Sequence, residues 1–115
     1  MEISDIGIDI VKIERFRKKE YNKNKKFYER IFSKSEIQYC LSFKNNSEHF
    51  AGKFAIKEAV KKSIKENIGF KEILTNHEKS KPQIILKKKL NYRFLVSVSH
   101  EKDYAIAMVI ALDNN

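Results

Sequence analysis

The chain has few of the residues that build linkers or disulfide frameworks. Among its 115 residues there are one cysteine, one proline and three glycines. The single Cys40 has no partner for an internal disulfide and none at metal-ligand spacing, so we interpret it as a packed helix residue in a reducing compartment. Neither an internal repeat nor a tract rich in proline or glycine is present. We therefore expect one domain over residues 1–115.

Long apolar segments and a surplus of acidic residues are also lacking. No apolar run approaches the roughly 20 residues that span a bilayer, and the opening residues, MEISD, do not resemble a signal peptide. We expect a cytoplasmic protein with no membrane partner. The 24 Lys and Arg residues outnumber the 15 Asp and Glu residues, for a formal net charge of +9. This balance favours acidic partners, which include nucleic acid, phosphorylated cofactors and acidic proteins.

The first pattern along the chain is typical of a β-strand. Ile6, Ile8 and Ile10 alternate with Gly7 and Asp9. A period of two predicts a strand with one apolar face, so we expect the Asp9 side chain on the opposite face.

Helical patterns follow this strand. Short helices are predicted over residues 12–19 and 23–32. Ser33, followed three residues later by Glu36, is a capping-box signature that predicts a third helix, which fades at 44–46.

The longest helix and a β-rich segment complete the pattern. We expect a helix from about 48 to 67, capped by Ser47 and ended by Gly69. Short polar links then join four apolar segments, which favours antiparallel pairing. These segments are KEIL (71–74), PQIIL (82–86), RFLVSVS (93–99) and YAIAMVIAL (104–112). The order predicts an α+β fold with an N-terminal strand, a helical half and an antiparallel β meander.

The long helix has two contrasting arcs at about 100° per residue. One arc is expected to pack on the sheet and consists of Ala55, Ile56, Ala59, Val60, Ser63 and Ile64. The other arc combines charge with two phenylalanines: Phe50, Lys53, Phe54, Lys57, Glu58, Lys61, Lys62 and Lys65. Because phenylalanines are uncommon on an open surface, we expect this arc to line a cleft or an interface.

Glu58 on that arc has two interpretations from the residues alone. It can form an i to i+4 ion pair with Lys62 on a solvated face. Alternatively, Glu58 and Asp9 can meet and hold Mg²⁺, with phosphate oxygens and water completing the octahedron and lysines neutralising the phosphates. Spacing alone does not show that Asp9 and Glu58 meet, so both interpretations stay open.

Five segments together resemble holo-acyl carrier protein synthases, the short bacterial branch of the 4′-phosphopantetheinyl transferase superfamily. They are GIDIVKIERF, FYERIFSKSEIQYC, FAGKFAIKEAVKK, KSKP and VSVSHEKDYAIA, and they occur in the family's order. The resemblance covers nearly the whole chain. A GxD motif is weak by itself, but GxD, then FxxKEA about fifty residues later, then an SxSH strand end is a specific combination.

The resemblance implies an enzyme that uses Mg²⁺ and coenzyme A. Such enzymes transfer the 4′-phosphopantetheine arm to a serine of acyl carrier protein and release adenosine 3′,5′-bisphosphate, which activates the carrier for fatty acid biosynthesis. The family's metal ligands match Asp9 and Glu58, and its carrier-recognition arginine matches Arg15. Its helix lysine matches Lys62. We expect Glu58, directly or through a metal-bound water, to accept the serine proton, with His100 as the second candidate.

The resemblance also implies a coenzyme site and an assembly. Ser99 and His100 match strand-end residues near the coenzyme, and Lys81 and Pro82 match the end of a Gly-Lys-Pro turn. We expect Lys62, with Lys53 or Lys57, to bind the coenzyme phosphates. Family members generally form trimers with active sites between subunits, so Phe50 and Phe54 are expected at a subunit seam.

Two positions depart from the family's pattern. Ser80 replaces the usual glycine of the turn, and Ile56 replaces a common alanine.

A small basic nucleic-acid-binding module would need an aromatic stacking platform or a docking motif, and the sequence shows neither. A catalytically silent carrier-binding protein could dispense with Asp9 and Glu58, and both are present. We interpret His49 and His77 as structural residues.

Overall fold

The computed structural model describes residues 2–114 and has the predicted α+β architecture. The strands are β1 (Ile3–Lys12), β2 (Ile73–Glu78), β3 (Lys81–Leu86), β4 (Tyr92–His100) and β5 (Tyr104–Asp113). The α-helices are α1 (Glu14–Arg17), α2 (Lys25–Ile31), α3 (Lys34–Leu41) and α4 (Asn46–Ser63). Single turns of 3₁₀-helix span Tyr21–Lys23 and Phe70–Glu72. None of the helices in the described part of the chain is both long and apolar enough to cross a membrane.

The strands form two antiparallel sheets. The first has the order β1-β5-β4, so the N-terminal strand pairs with the C-terminal one, and the second is the β2-β3 hairpin. The predicted meander is therefore divided, because β3 and β4 are neighbours without a shared hydrogen-bond ladder.

Helix α4 lies across the inner face of the three-stranded sheet. The sheet residues beneath it are small: Ala105, Ala107 and Ala111 alternate along β5 and are fully covered. Small side chains permit a close approach of helix to sheet, and the predicted packing arc of α4 is buried there. The closest approach is at Gly7, where an added Cβ would lie 1.9 Å from the Ala59 carbonyl oxygen.

The prediction that the charged arc of α4 lines a cleft or an interface is wrong in part. Phe50 and Phe54 are buried within this chain and contact the Phe16 ring, so they do not mark a subunit seam. Lys53 and Lys57 are buried as well. The physical reason is that α1, α2, α3 and the β2-β3 hairpin cover the side of α4 that faces away from the sheet, so only Glu58 and the C-terminal lysines stay near the surface.

Strand β1 also differs from the simplest expectation. The Asp9 side chain lies on the opposite face from Ile6, Ile8 and Ile10, as predicted, but that face is the inner one, with Gly7 and Val11. The isoleucines are 54–61% exposed on the outer face of the sheet.

Local signals explain which helix ends were predictable. Ser33 caps α3 as predicted: its hydroxyl accepts a hydrogen bond from the Glu36 backbone N–H, and the Glu36 carboxylate accepts one from the Ser33 N–H. Ser47, in contrast, lies inside α4, whose N-cap is Asn45. The helix ends at Ser63 rather than near 67, because Ile64 is extended and buries its side chain in the core.

Candidate active site

The Asp9 carboxylate lies beside α4 because Gly7 allows β1 to touch the helix backbone. Asp9 is two residues after Gly7 on the same face of the strand, and its side chain is only 14% exposed. Its Oδ1 atom accepts a hydrogen bond from Lys62 Nζ at 3.1 Å. Lys62 Nζ also donates to the Ile8 carbonyl oxygen at 2.9 Å. Strand and helix therefore present a carboxylate and an ammonium at one seam.

Glu58 belongs to the same seam. It lies one turn before Lys62 on α4 and is half-buried. Lys62 forms an ion pair with Asp9, whereas no ion pair joins Glu58 to Lys62 among the described residues. The simple i to i+4 pair considered from the sequence is therefore not formed, and the Glu58 carboxylate is available to another cation.

Arg15, on α1, lies beside the preceding turn of α4 and belongs to the same seam. Its guanidinium lies 5.0 Å from the centre of the Phe54 ring, and Phe54 is one turn before Glu58. The contact with this aromatic ring positions the Arg15 side chain, and Arg15 is exposed to solvent. We define the α4 seam as Asp9, Arg15, Glu58 and Lys62.

The α4 seam fits a divalent cation bound together with phosphates. Carboxylate oxygens are the ligands that Mg²⁺ prefers, and Mg²⁺ is commonly held by one or two acids plus phosphate oxygens. The seam already holds a cation on Asp9, the Lys62 ammonium. Among residues 2–114 no cluster of three or more His, Cys, Asp or Glu side chains could hold a metal by itself. A metal here would need phosphate oxygens or waters in addition to Asp9 and Glu58.

A cavity of about 370 Å³ lies on the other side of α4. His49, Lys53 and Ile56 of α4 line it, and at 3.6 residues per turn these positions face away from Glu58. The β2-β3 turn contributes Ser80, and the end of β4 contributes His100. The α4 seam and this cavity thus lie on opposite sides of α4, so a single chain does not bring His100 to Glu58.

Aromatic and imidazole rings surround this cavity. His77 stacks on Tyr39 with ring centres 4.4 Å apart, and His49 stacks on Phe43 at 3.7 Å. His100 Nδ1 is 3.7 Å from a Glu48 carboxylate oxygen. Burial lowers the pKa of both His49 and His77, which favours the neutral form of these two imidazoles.

These ring residues were missed or assigned a structural role in the sequence analysis. His49 and His77 line the same cavity as His100. The available signal was the spacing of Tyr39 and Phe43, which places two aromatic rings on one side of the end of α3.

The other predicted coenzyme residues lie outside this cavity. Lys81 and Pro82 begin β3 and line a groove of about 840 Å³ between β3 and β4. Ser99 is exposed on the outer face of β4 and pairs with Ile106.

The prediction that Lys57 binds a coenzyme phosphate is wrong. Its side chain is fully buried, and Nζ donates to the Glu36 carboxylate at 2.7 Å and to the carbonyl oxygens of Ile31 and Phe70. All three ammonium donors are used within the chain. Lys57 therefore connects α2 and α3 to α4 and has no donor for a coenzyme phosphate.

Lys53 is similarly occupied. Its ammonium donates to the Thr75 carbonyl at 3.2 Å and to the Thr75 hydroxyl at 3.0 Å, and it lies over the Tyr39 ring. Burial lowers the pKa of Lys53. It borders the cavity, but it donates two hydrogen bonds to Thr75 of β2. Lys53 is therefore less available to the coenzyme phosphates than Lys62.

The buried Glu36 carboxylate organises this region. It accepts hydrogen bonds from Lys57, from the Ser33 backbone N–H, and from both the N–H and the hydroxyl of Thr75. Burial by itself raises the pKa of Glu36, but the Lys57 charge and these hydrogen bonds bring it below its ordinary value.

Comparison with known proteins identifies the family to which this arrangement belongs. Residues 5–109 match the model of the 4′-phosphopantetheinyl transferase superfamily. The chain belongs to the 4′-phosphopantetheinyl transferase superfamily. The holo-[acyl-carrier-protein] synthase of Chlamydia felis is 40% identical over 97% of this chain and 99% of its own length. That of Thermodesulfovibrio yellowstonii is 37% identical over 94% and 97%, respectively.

Solved structures of this superfamily share the fold. A Helicobacter pylori holo-[acyl-carrier-protein] synthase in complex with coenzyme A is 37% identical and superposes with a TM-score of 0.80, covering 93% of this chain and 99% of that one. A Bacillus anthracis holo-(acyl-carrier-protein) synthase in complex with CoA (3′,5′-ADP) has a TM-score of 0.83 at 30% identity, with coverage of 96% and 97%. The predicted family, fold class and enzyme class, a phosphopantetheinyl transferase, are confirmed. The roles of the individual site residues stay predictions.

Proposed function

We propose that this transferase moves the 4′-phosphopantetheine group from coenzyme A to a serine of an apo-acyl carrier protein, with Mg²⁺. Adenosine 3′,5′-bisphosphate leaves, and the carrier becomes active for fatty acid biosynthesis. The single observation that carries this proposal is the α4 seam, where the Lys62 ammonium binds the Asp9 carboxylate one helical turn from Glu58, and Arg15 lies on Phe54 one turn before Glu58. The relatives that are named as holo-[acyl-carrier-protein] synthases support the same substrates.

Each seam residue has a role that follows from its chemistry. Asp9 and Glu58 would hold Mg²⁺, which when bound neutralises the charge that develops on the pyrophosphate as the bond to the leaving group breaks. Lys62 can neutralise a phosphate oxygen as a point charge on a flexible stem. Glu58, directly or through a metal-bound water, would accept the serine proton.

Arg15 provides the contact with the carrier. Acyl carrier proteins are acidic, and this chain has a formal net charge of +9, so encounter is favoured by long-range attraction. Because the guanidinium is held on Phe54, one turn from Glu58, a carrier bound at Arg15 would have its serine near the reacting phosphate.

We further propose that the enzyme acts as a homotrimer with sites shared between subunits. The outer face of the three-stranded sheet exposes a contiguous apolar patch, because Ile8 pairs with Met108 and Ile10 pairs with Ile106. Large exposed apolar patches are typical of protein interfaces. A closed ring of heterologous contacts could bring the α4 seam of one subunit near the cavity with His100, or near Lys81, Pro82 and Ser99, of its neighbour.

His100 is restricted by this geometry. Within one chain it borders the cavity on the far side of α4 from Glu58. It can contribute to coenzyme binding or to catalysis at a given seam only from a neighbouring subunit. We place the reaction in the cytoplasm, since the single Cys40 is buried and fits a reducing compartment.

The reaction products test the proposal. We expect coenzyme A, apo-acyl carrier protein and the enzyme to release adenosine 3′,5′-bisphosphate, as measured by chromatography, only when Mg²⁺ is added and not when it is chelated. Release without the carrier would indicate a coenzyme A hydrolase. No release in the presence of all three components and Mg²⁺ would contradict the proposed function.

A further inference from the structure

Within this chain, the Lys62 ammonium is bound to Asp9, one of the proposed metal ligands. Its Nζ atom is 3.1 Å from Asp9 Oδ1 and 2.9 Å from the Ile8 carbonyl oxygen, so two of its three donors are fixed to β1. The side chain is nevertheless 53% exposed. It is therefore positioned on Asp9 but is not enclosed there.

The Lys62 ammonium and a divalent cation cannot share this position. Mg²⁺ binds oxygen ligands at about 2.0–2.1 Å and requires near-octahedral geometry. An ammonium hydrogen-bonded to the same carboxylate would be close to the ion and of the same sign, and it already uses a lone pair of Oδ1. The metal therefore competes with Lys62 for Asp9.

We propose that Lys62 is a gate on Asp9, exchanging the carboxylate in the empty enzyme for a coenzyme phosphate in the loaded one. This inference rests on the proposed metal site and adds an order to its assembly. The four-carbon stem and the exposed side chain allow the movement. The ammonium leaves Asp9 most readily when another anion takes its place, and the pyrophosphate of coenzyme A is that anion.

Coupling between metal and coenzyme is the consequence. Without coenzyme, the metal competes with Lys62 for Asp9 and binds weakly. With coenzyme, Lys62 is engaged elsewhere and Asp9 is free, so the metal binds more tightly, and by reciprocity the metal strengthens coenzyme binding. A static Lys62 that only adds positive charge would instead weaken metal binding equally in both states.

Binding of Mn²⁺, measured as free Mn²⁺ by electron paramagnetic resonance, distinguishes these cases. Lys62→Met removes the gate, and Lys61→Met removes the same charge one residue away, where the Lys61 ammonium lies over the Phe70 ring and does not contact Asp9. We expect Lys62→Met to bind Mn²⁺ about tenfold more tightly than wild type without coenzyme A, which corresponds to the loss of one charge-assisted hydrogen bond. With saturating coenzyme A the two proteins should differ little. Lys61→Met should behave as wild type.

Two outcomes would overturn the gate. The first is that, without coenzyme, Lys62→Met leaves the Mn²⁺ affinity unchanged or raises it no more than Lys61→Met does. The other is an equal increase with and without coenzyme. If Lys62→Met does not fold, as judged by its melting curve, Lys62→Arg is informative instead: its guanidinium can stay on Asp9, so the coenzyme should still enhance Mn²⁺ binding.

The gate and the proposed function can fail separately. If wild type transfers the phosphopantetheine group but Lys62→Met shows no change in coupling between coenzyme A and Mn²⁺, only the gate is wrong. If wild type with coenzyme A binds no Mn²⁺, both the metal site and the gate are wrong.

Discussion

Gly7→Ala should destabilise the fold at the point where the α4 seam is built. An alanine Cβ at this position would be 1.9 Å from the Ala59 carbonyl oxygen and 2.8 Å from its carbonyl carbon. Both are backbone atoms of α4 and cannot rotate away, so strand and helix must separate by about 1 Å. Overpacking costs about 1–3 kcal/mol and occasionally more. We expect a loss of about 3 kcal/mol in the free energy of unfolding, and a melting temperature lowered by about 10 °C or more.

Gly52→Ala is the matched control for this change. Its Cβ would be 3.6 Å from a Val98 methyl group, an ordinary contact, and Gly52 lies inside α4. Replacing a helical glycine by alanine is worth about 0.5–1 kcal/mol of stability, so this variant should melt at or above the wild-type temperature. Urea and thermal unfolding of both variants measure the difference. A Gly7→Ala protein as stable as wild type, or two variants with equal losses, would refute the close approach of β1 to α4.

Four further predictions concern the site, the core and the assembly. Asp9→Asn and Glu58→Gln should keep the wild-type melting temperature and lose nearly all Mg²⁺-dependent transfer; full activity in both would remove the metal site. Arg15→Ala should raise KM for the carrier much more than KM for coenzyme A, and added salt should reduce the difference; a rise in the coenzyme KM alone would assign Arg15 to the nucleotide. Glu36→Gln should cost about 3–5 kcal/mol in urea unfolding, since it leaves a buried ammonium unpaired. Because folding lowers the pKa of Glu36, its contribution is fully present above the unfolded value of 4.5 and is lost as the pH falls below that value, and a pH-independent cost would contradict this. Ile8→Lys should split the oligomer into folded monomers in sedimentation, and an unchanged oligomer would place the interface elsewhere.

Local interactions explain most of what the sequence predicted correctly. The capping box of Ser33 and Glu36 is confirmed because both partners lie within one helical turn. The period of β1 placed Asp9 opposite the isoleucines, since alternation is a property of any strand. The sequence did not predict which face of β1 would meet the helix. Gly7 fits against α4 because it lacks a side chain, and a hydropathy scale gives glycine no preference for the buried face.

Long-range contacts explain what was missed. The partner of Glu36 is Lys57, 21 residues later, and the pair becomes buried only when α3 docks on α4. Charge alone therefore assigned Lys57 to the coenzyme phosphates. The separation of the cavity with His100 from the α4 seam is likewise a consequence of helix packing, and no spacing rule relates residue 100 to residue 58.

The most direct test of the central claim is the intact mass of an acyl carrier protein after incubation with this enzyme, coenzyme A and Mg²⁺. We predict that the carrier gains the mass of one 4′-phosphopantetheine group, located on a serine by fragmentation, with the wild-type enzyme and not with Asp9→Asn. A carrier of unchanged mass after incubation with folded wild-type enzyme would contradict the proposed function. An equal gain with Asp9→Asn would show that transfer does not depend on the α4 seam.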